Sequence, residues 1–240
     1  MKRQKNNGFV LVTSLIFLVV LSLLGVMAMR GSLFEERMSA NDRDLAMARE
    51  LAELALRDGE RDILGLRFDG TYCRAPDGTT NCTLVRPQGT RPTNALDAGN
   101  FWVAANPVID DIGLDDGGGI GGTANLLGLY TASSSTACGM PIWSGANWVD
   151  GTLPARSCAG SIAAPVPTVA YGTFTDAPLN GPAGTIAPRY MIEMFRADDL
   201  NITPTSNKLF FRITAVGFGR TQGPGGRATS VTLQSVFSPL

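Results

Sequence analysis

"FVLVTSLIFLVVLSLLGVMAMRGSLFEERMSANDRDLAMARELAELALRDGE" runs from Phe9 to Glu60. It changes character halfway without any helix-breaking signal. From Phe9 to Met29 no residue is charged. As an α-helix, a run of that length spans roughly 30 Å, the hydrocarbon thickness of a bilayer. Lys2, Arg3 and Lys5 precede it, so the positive-inside rule keeps the N-terminus cytoplasmic and exports the rest of the chain. A secretory signal has a shorter apolar region ending at small residues of the A-x-A kind. Here the run is longer and is followed by Arg30, so the apolar helix is expected to remain in the mature protein.

The second half of the stretch continues the helix with one-sided patterning. Phe34, Met38, Asn41, Leu45, Ala48, Ala52, Ala55, Gly59 and Ile63 recur at steps of three or four, the helical period. Only Asn41 breaks the small or apolar character of this stripe. Glu53 and Arg57 are placed for an i,i+4 ion pair on another face. The first proline is Pro76, so one helix is expected from about Phe9 to about Leu64, roughly 80 Å long. Gly25 and Gly31 are its weak points, each costing about 1 kcal/mol against alanine. The alanine-rich face implies close approach to a sheet. A plain membrane tether needs no such continuation.

Composition narrows the function. The chain has 240 residues and a formal net charge of −1, so charge gives no reason to expect a nucleic-acid partner. Charged residues make up 17%, below the usual level of about 25%. There is no histidine, which removes the commonest general base and metal ligand and any Ser-His-Asp or Cys-His arrangement. No catalytic residue, metal site or cofactor is expected. The four cysteines, Cys73, Cys82, Cys138 and Cys158, allow three pairings. The sequence-local pair of bridges, Cys73–Cys82 and Cys138–Cys158, is expected. Zinc is the competing reading, and it calls for closer Cys-x₂₋₄-Cys knuckles than these.

Beyond Arg67 the chain is rich in Gly, Pro, Asn and Ser. "FDGTYCRAPDGTTNCTL" (68–84) reads as turns pinned by Cys73 and Cys82, and Trp102, Trp143 and Trp148 are expected to anchor small satellite cores. "DDIGLDDGGGIGG" (110–122) clusters carboxylates that could hold Ca²⁺. It lacks the EF-hand order, and an acidic surface loop is the expected reading. The C-terminal end is patterned for strands: "RYMIEMF" (189–195), "KLFFRITAVGFG" (208–219) and "TSVTLQSVF" (229–237). Alternation selects Tyr190, Ile192 and Met194, then Phe211, Ile213 and Ala215, then Val231, Leu233 and Phe237 as one buried face. "TQGPGG" (221–226) is the turn between the last two. Three antiparallel strands with one buried face need a cover, and the alanine face of the helix supplies it. The expected fold class is α+β.

The leader, with basic residues ending at Gly8 and then Phe9 and a long apolar helix, resembles the class III signal of type IV pilins and pseudopilins. The resemblance sharpens at Gly25-Val26-x-Ala28-Met29-Arg30, Glu36-Arg37-Met38, Ala40-Asn41 and Ala55-Leu56-Arg57-Asp58-Gly59-Glu60. These are similar to the PilX-type minor pilins of type IV pilus assembly, over about residues 1–60. It implies a pilin-like architecture in four parts: a cleaved leader (1–8), a transmembrane and filament-core half-helix (9–30), an amphipathic half-helix (31–66), and a periplasmic or surface head (67–240). A prepilin peptidase would cut after Gly8 and leave an N-methylated Phe9. The subunit would start in the inner membrane and end in the surface pilus. Implied partners are other minor pilins, the major pilin, a PilY-type tip adhesin and the inner-membrane assembly platform, with twitching motility and cell adhesion as the associated processes.

One departure stands out. Major pilins carry glutamate at the fifth position after cleavage, where it neutralises the amine of a neighbouring subunit. That position is Thr13 here. The resemblance then implies a priming subunit at or near the filament tip, since the tip pseudopilin of type II secretion also lacks this glutamate. A type II secretion pseudopilin is the first alternative, and a membrane-anchored periplasmic enzyme or binding protein is the second.

Overall fold

The computed structural model describes residues 7–74, 79, 82, 102, 128–131, 141–146, 148–149, 166, 168–181, 185–196, 209–222 and 228–238. The chain divides into two compact units, Met1–Asp44 and Leu45–Leu240. One helix, α1 (Asn7–Leu64, 58 residues), contributes to both.

In the first unit α1 is apolar on every side from Phe9 to Met29. Phe9, Leu18 and Met29 are 73%, 66% and 71% exposed, and no charge interrupts the segment between them. Its hydroxyls are turned inward. Thr13 Oγ1 donates to the carbonyls of Phe9 and Val10, both at 3.0 Å. Ser14 and Ser22 donate to Leu11 and Leu18. Such back-bonding lets a polar side chain sit among apolar neighbours without an external partner.

In the second unit the C-terminal part of α1 lies on a sheet. Ala48, Ala52, Ala55 and Ile63 are fully buried. The expected stripe thus packs from Ala48 onward, whereas Phe34, Met38 and Leu45 are exposed. The helix stops in a Schellman motif: Gly65, at φ 72°, donates to the Asp62 carbonyl, and Leu66 donates to the Arg61 carbonyl. Arg61 in the last turn complements the helix dipole. The pair on the exposed face differs from expectation. Glu53 bonds Arg49 at 3.2 Å, not Arg57. Both arginines stand one turn from Glu53, and exposed pairs of this kind contribute under ~1 kcal/mol, too little to hold one choice by pattern.

The sheet contains β1 (Leu129–Thr131), β2 (Val169–Ala170), β3 (Arg189–Phe195), β4 (Phe210–Gln222) and β5 (Ala228–Phe237). Its order is β1-β3-β4-β5, with β2 also on β3. The last three strands are antiparallel, as their sequence patterns require. Strand β4 continues through Gln222, into the stretch read as turn, while 223–227 fall outside the described residues. The register aligns Tyr190 with Ala215, Ile192 with Ile213 and Met194 with Phe211, so the selected apolar set does form one face.

Two features depart from three strands with one buried face. Short β1, parallel, and β2, antiparallel, share the outer edge of β3. At three and two residues they are too short to show any periodicity. In addition, the second face of β3 is covered. Met191 packs with Tyr130, Ile142 and Val166, flanked by Trp143 and Trp148. On that same face Glu193 is paired across the ladder with Arg212, at 2.6 and 2.8 Å. The arginine also stacks 5.0 Å over Phe195. Trp143 and Trp148 are thus satellite residues, as expected, but Trp102 is not. It is 2% exposed in the main core and meets Phe211 edge-on at 5.0 Å. Its indole Nε1–H donates to the Ile63 carbonyl at 2.8 Å, partnering an acceptor in the last turn of α1.

Candidate assembly site

Two surfaces of α1 carry the chemistry. The first is the segment from Phe9 to Met29, a cylinder of Leu, Val, Ile, Phe and Met side chains with its few hydroxyls bonded internally. With the backbone amides and carbonyls from Leu11 to Met29 bonded within the helix, such a surface is compatible with lipid and with other apolar helices alike. Gly8 and Phe9 lie within the first turns of the helix. Thr13 stands one turn further on, exposed, with its hydroxyl committed to its own backbone. No residue from Phe9 to Met29 is charged, so this segment offers no carboxylate at that level to meet a cation.

The second is the seam between α1 and the sheet. Gly217 on β4 faces the helix so closely that a Cβ there would lie 2.1 Å from the Ala48 carbonyl oxygen and 2.4 Å from the Ala52 nitrogen. Gly59 on the helix answers from the other side, where a Cβ would lie 2.8 Å from Ile213 Cγ2. Beside this seam are two carboxylates that the stripe did not reveal. Asp58 and Asp62, one helical turn apart, are fully buried. Asp58 accepts from the Gly172 amide at 2.7 Å and from the Thr175 hydroxyl. Asp62 accepts from the Tyr190 hydroxyl at 2.9 Å. Together they fasten the helix to the turn at 171–175 and to β3. Burial pushes the Asp58 carboxyl up to about 6. The hydrogen bonds from Thr175 and Gly172 oppose that rise, nearby Asp62 adds to it, and Arg61 reduces it. The i,i+4 spacing of two aspartates adjoining the packed stripe was the available sequence signal. It went unread because carboxylates on a helix usually face solvent.

Below the helix, Cys73 and Cys82 are joined by a disulfide, with Cα atoms 4.9 Å apart. Cys73 N–H also donates to the Gly65 carbonyl, tying the loop to the end of α1. Cys138, Cys158 and the acidic stretch 110–122 lie outside the described residues. Among the described residues no cluster of His, Cys, Asp or Glu could hold a metal ion.

A long N-terminal helix, apolar in its first half and laid through small residues on a mostly antiparallel, mixed sheet in its second, defines an α+β pilin-like protein. Two family descriptions match nearly the whole chain: PilX N-terminal over residues 7–57, and type IV pilus assembly protein PilX C-term over residues 72–239. The chain belongs to the PilX family of type IV pilus assembly proteins and is a PilX-type minor pilin. No curated protein and no solved structure matches it. Membership implies a structural subunit that works in an assembly with other pilins, and the apolar helix is a candidate membrane anchor.

Proposed function

We propose that this subunit primes type IV pilus polymerisation and remains at or near the filament tip. In this reading residues 1–8 are a leader cut after Gly8 by a prepilin peptidase, and Phe9 becomes the N-methylated start. Residues 9–30 span the inner membrane with the N-terminus cytoplasmic. They then move into the filament core, where helix packing replaces lipid contacts. Residues 31–66 carry the head, 67–240, in the periplasm and later on the cell surface. The other minor pilins, the major pilin, a PilY-type tip adhesin and the inner-membrane assembly platform are its partners, and twitching and adhesion depend on it through the pilus.

The observation that carries the tip reading is Thr13. Inside an apolar bundle an unpaired amine costs several kcal/mol, and a shaft subunit offers a carboxylate at this level to neutralise it. Thr13 offers none, and its hydroxyl is already bonded to Phe9 and Val10. A subunit with no neighbour's amine to receive needs no carboxylate there. The missing carboxylate would equally suit a type II secretion tip pseudopilin, but the family match favours the pilus.

Three measurements test the reading. Mass spectrometry of the mature protein is expected to find an N-methylated Phe9. An N-terminus at Met1, or one beyond residue 29, overturns the processing step. Replacing residues 9–30 with an unrelated transmembrane helix is expected to abolish surface pili, and intact piliation sinks the filament role. Immunogold labelling of the head is expected at filament ends, and label along the shafts refutes the tip position.

A further inference from the structure

The two edges of the sheet are built differently. On one side, the outer edge of β3 is occupied by β1 and β2, three and two residues long. Very short edge strands are one of the ways proteins keep an edge from recruiting another chain. On the other side β5 runs for ten residues, ATSVTLQSVF. Among the described residues it pairs only with β4. It contains no lysine, no other charge and no proline, and its one register irregularity is confined to the hairpin end, between Phe218 and Gln222. Among the described residues no lysine, proline, mid-strand bulge or covering strand protects it along its length.

The side chains beside that edge are also incompletely covered. The inner row of the neighbouring strands is fully buried at Ile192, Ile213 and Phe211. The same row on β5, Val231, Leu233 and Phe237, is only half-buried. On the opposite face Ser230, Thr232 and Gln234 are exposed, and Val236 is 72% exposed. The apolar layer therefore ends one strand short of closure, next to a line of backbone donors and acceptors about 33 Å long.

We propose that β5 is a docking edge that takes an extended strand from another pilin subunit of the same pilus. The occupant follows from the chemistry. A bare ladder of N–H and C=O groups is satisfied by another extended backbone, the mode of strand addition. The half-buried row asks for alternate apolar side chains on the helix-covered face. The Ser-Thr-Gln row asks for polar ones opposite. No charge on β5 rewards a charge across the ladder, and burying an unpaired one is costly, so the incoming strand is neutral. Family membership supplies the class of partner, since this chain assembles with other pilins. The inference rests on the chain's being a pilus subunit and not on its place at the tip, so tip labelling and this test can fail independently.

The test uses the full chain in detergent, alone and co-expressed singly with each other pilin subunit of the same pilus. Amide exchange is read across 228–237, and proline is placed one position at a time from Ser230 to Gln234. Proline is expected to be tolerated at alternate positions, where the N–H points away from β4, and to unfold the sheet at the others. With one pilin partner, the outward amides are expected to exchange at least about tenfold more slowly. The tolerated prolines are expected to abolish both that protection and co-purification. The proposal is overturned if no pilin slows exchange, or if the tolerated prolines leave association intact. It is equally overturned if the edge is already protected in the chain alone: independently of concentration, which means the chain covers its own edge, or in proportion to concentration, which means a second copy occupies it.

Discussion

Replacing Gly217 with alanine adds a single methyl group, at the place where helix and sheet approach most closely. That carbon would lie 2.1 Å from the Ala48 oxygen, 2.4 Å from the Ala52 nitrogen and 2.9 Å from the Leu51 carbonyl carbon. All three atoms are helix backbone, locked in the α-helical ladder, so no side-chain rotation relieves the overlap. The helix must retreat from β4 by more than an ångström, which loosens Ala48, Ala52 and Ala55 together. Overpacking of a well-packed core typically costs 1–3 kcal/mol, and a clash with three backbone atoms of one helix belongs at the upper end, about 3 kcal/mol. For a domain of this size each kcal/mol lowers Tm by about 2–4 °C, so a fall of about 6–12 °C is expected. Thermal unfolding of the full chain in detergent, followed by near-ultraviolet circular dichroism of the buried Trp102, measures it. A companion Ala48→Gly change is expected not to rescue, because the obstructing atom is a carbonyl oxygen and not the alanine methyl. A loss below about 2 °C, or rescue by Ala48→Gly, would refute the backbone-contact account of the seam.

The partner glycine is expected to behave differently. Gly59→Ala meets Ile213 Cγ2 at 2.8 Å and Tyr190 Cδ2 at 3.2 Å, side chains rather than backbone, and it gains about 1 kcal/mol of helix propensity, so Tm is expected to fall by less than about 6 °C, less than for Gly217→Ala. Asp58 makes stability depend on pH in an unusual sense. Its carboxyl is raised from 3.8 to about 6 in the folded chain, so between those values the folded state binds more protons than the unfolded one. Its contribution to stability therefore grows as pH falls from about 7 towards 4, by roughly 2–3 kcal/mol, and is lost as pH rises through 6. Denaturant titrations of the parent and of Asp58→Asn are expected to differ by this slope, and parallel pH profiles contradict it. Replacing Cys73 and Cys82 by serine opens a link with a sequence separation of 9 and is expected to cost about 2–3 kcal/mol, read as a lower denaturation midpoint that matches the reduced parent.

Much of the architecture was legible because it rests on local periodicity. The apolar run, the three-and-four spacing from Ala48 to Ile63, and the alternation in 189–195 and 229–237 each state which face is buried, whatever lies opposite. The helix end near Leu64 was legible from where the stripe stops, and the structure adds that Gly65 closes the last turn in the left-handed region. Thr13 was legible as a departure from a pattern, and the structure adds that its hydroxyl bonds the Phe9 and Val10 carbonyls.

What had to wait for the tertiary structure involves partners far apart in sequence. Asp58 looks like a solvated helix carboxylate until Gly172 and Thr175 are brought to it. Trp102, in a stretch with no clear periodicity, joins the main core only because the Ile63 carbonyl and Phe211 ring converge on it. Gly217 reads as a weak spot in a strand until the helix backbone is found against it. The sequence by itself determined the helix, the strands and the faces they bury, since propensity and periodicity act over one or two turns. Only the tertiary structure decided which carboxylates are buried, how closely the helix approaches, and which sheet edge has no further strand among the described residues. The burial of a polar group, close contact and edge pairing are properties of what packs opposite, and no local pattern encodes them.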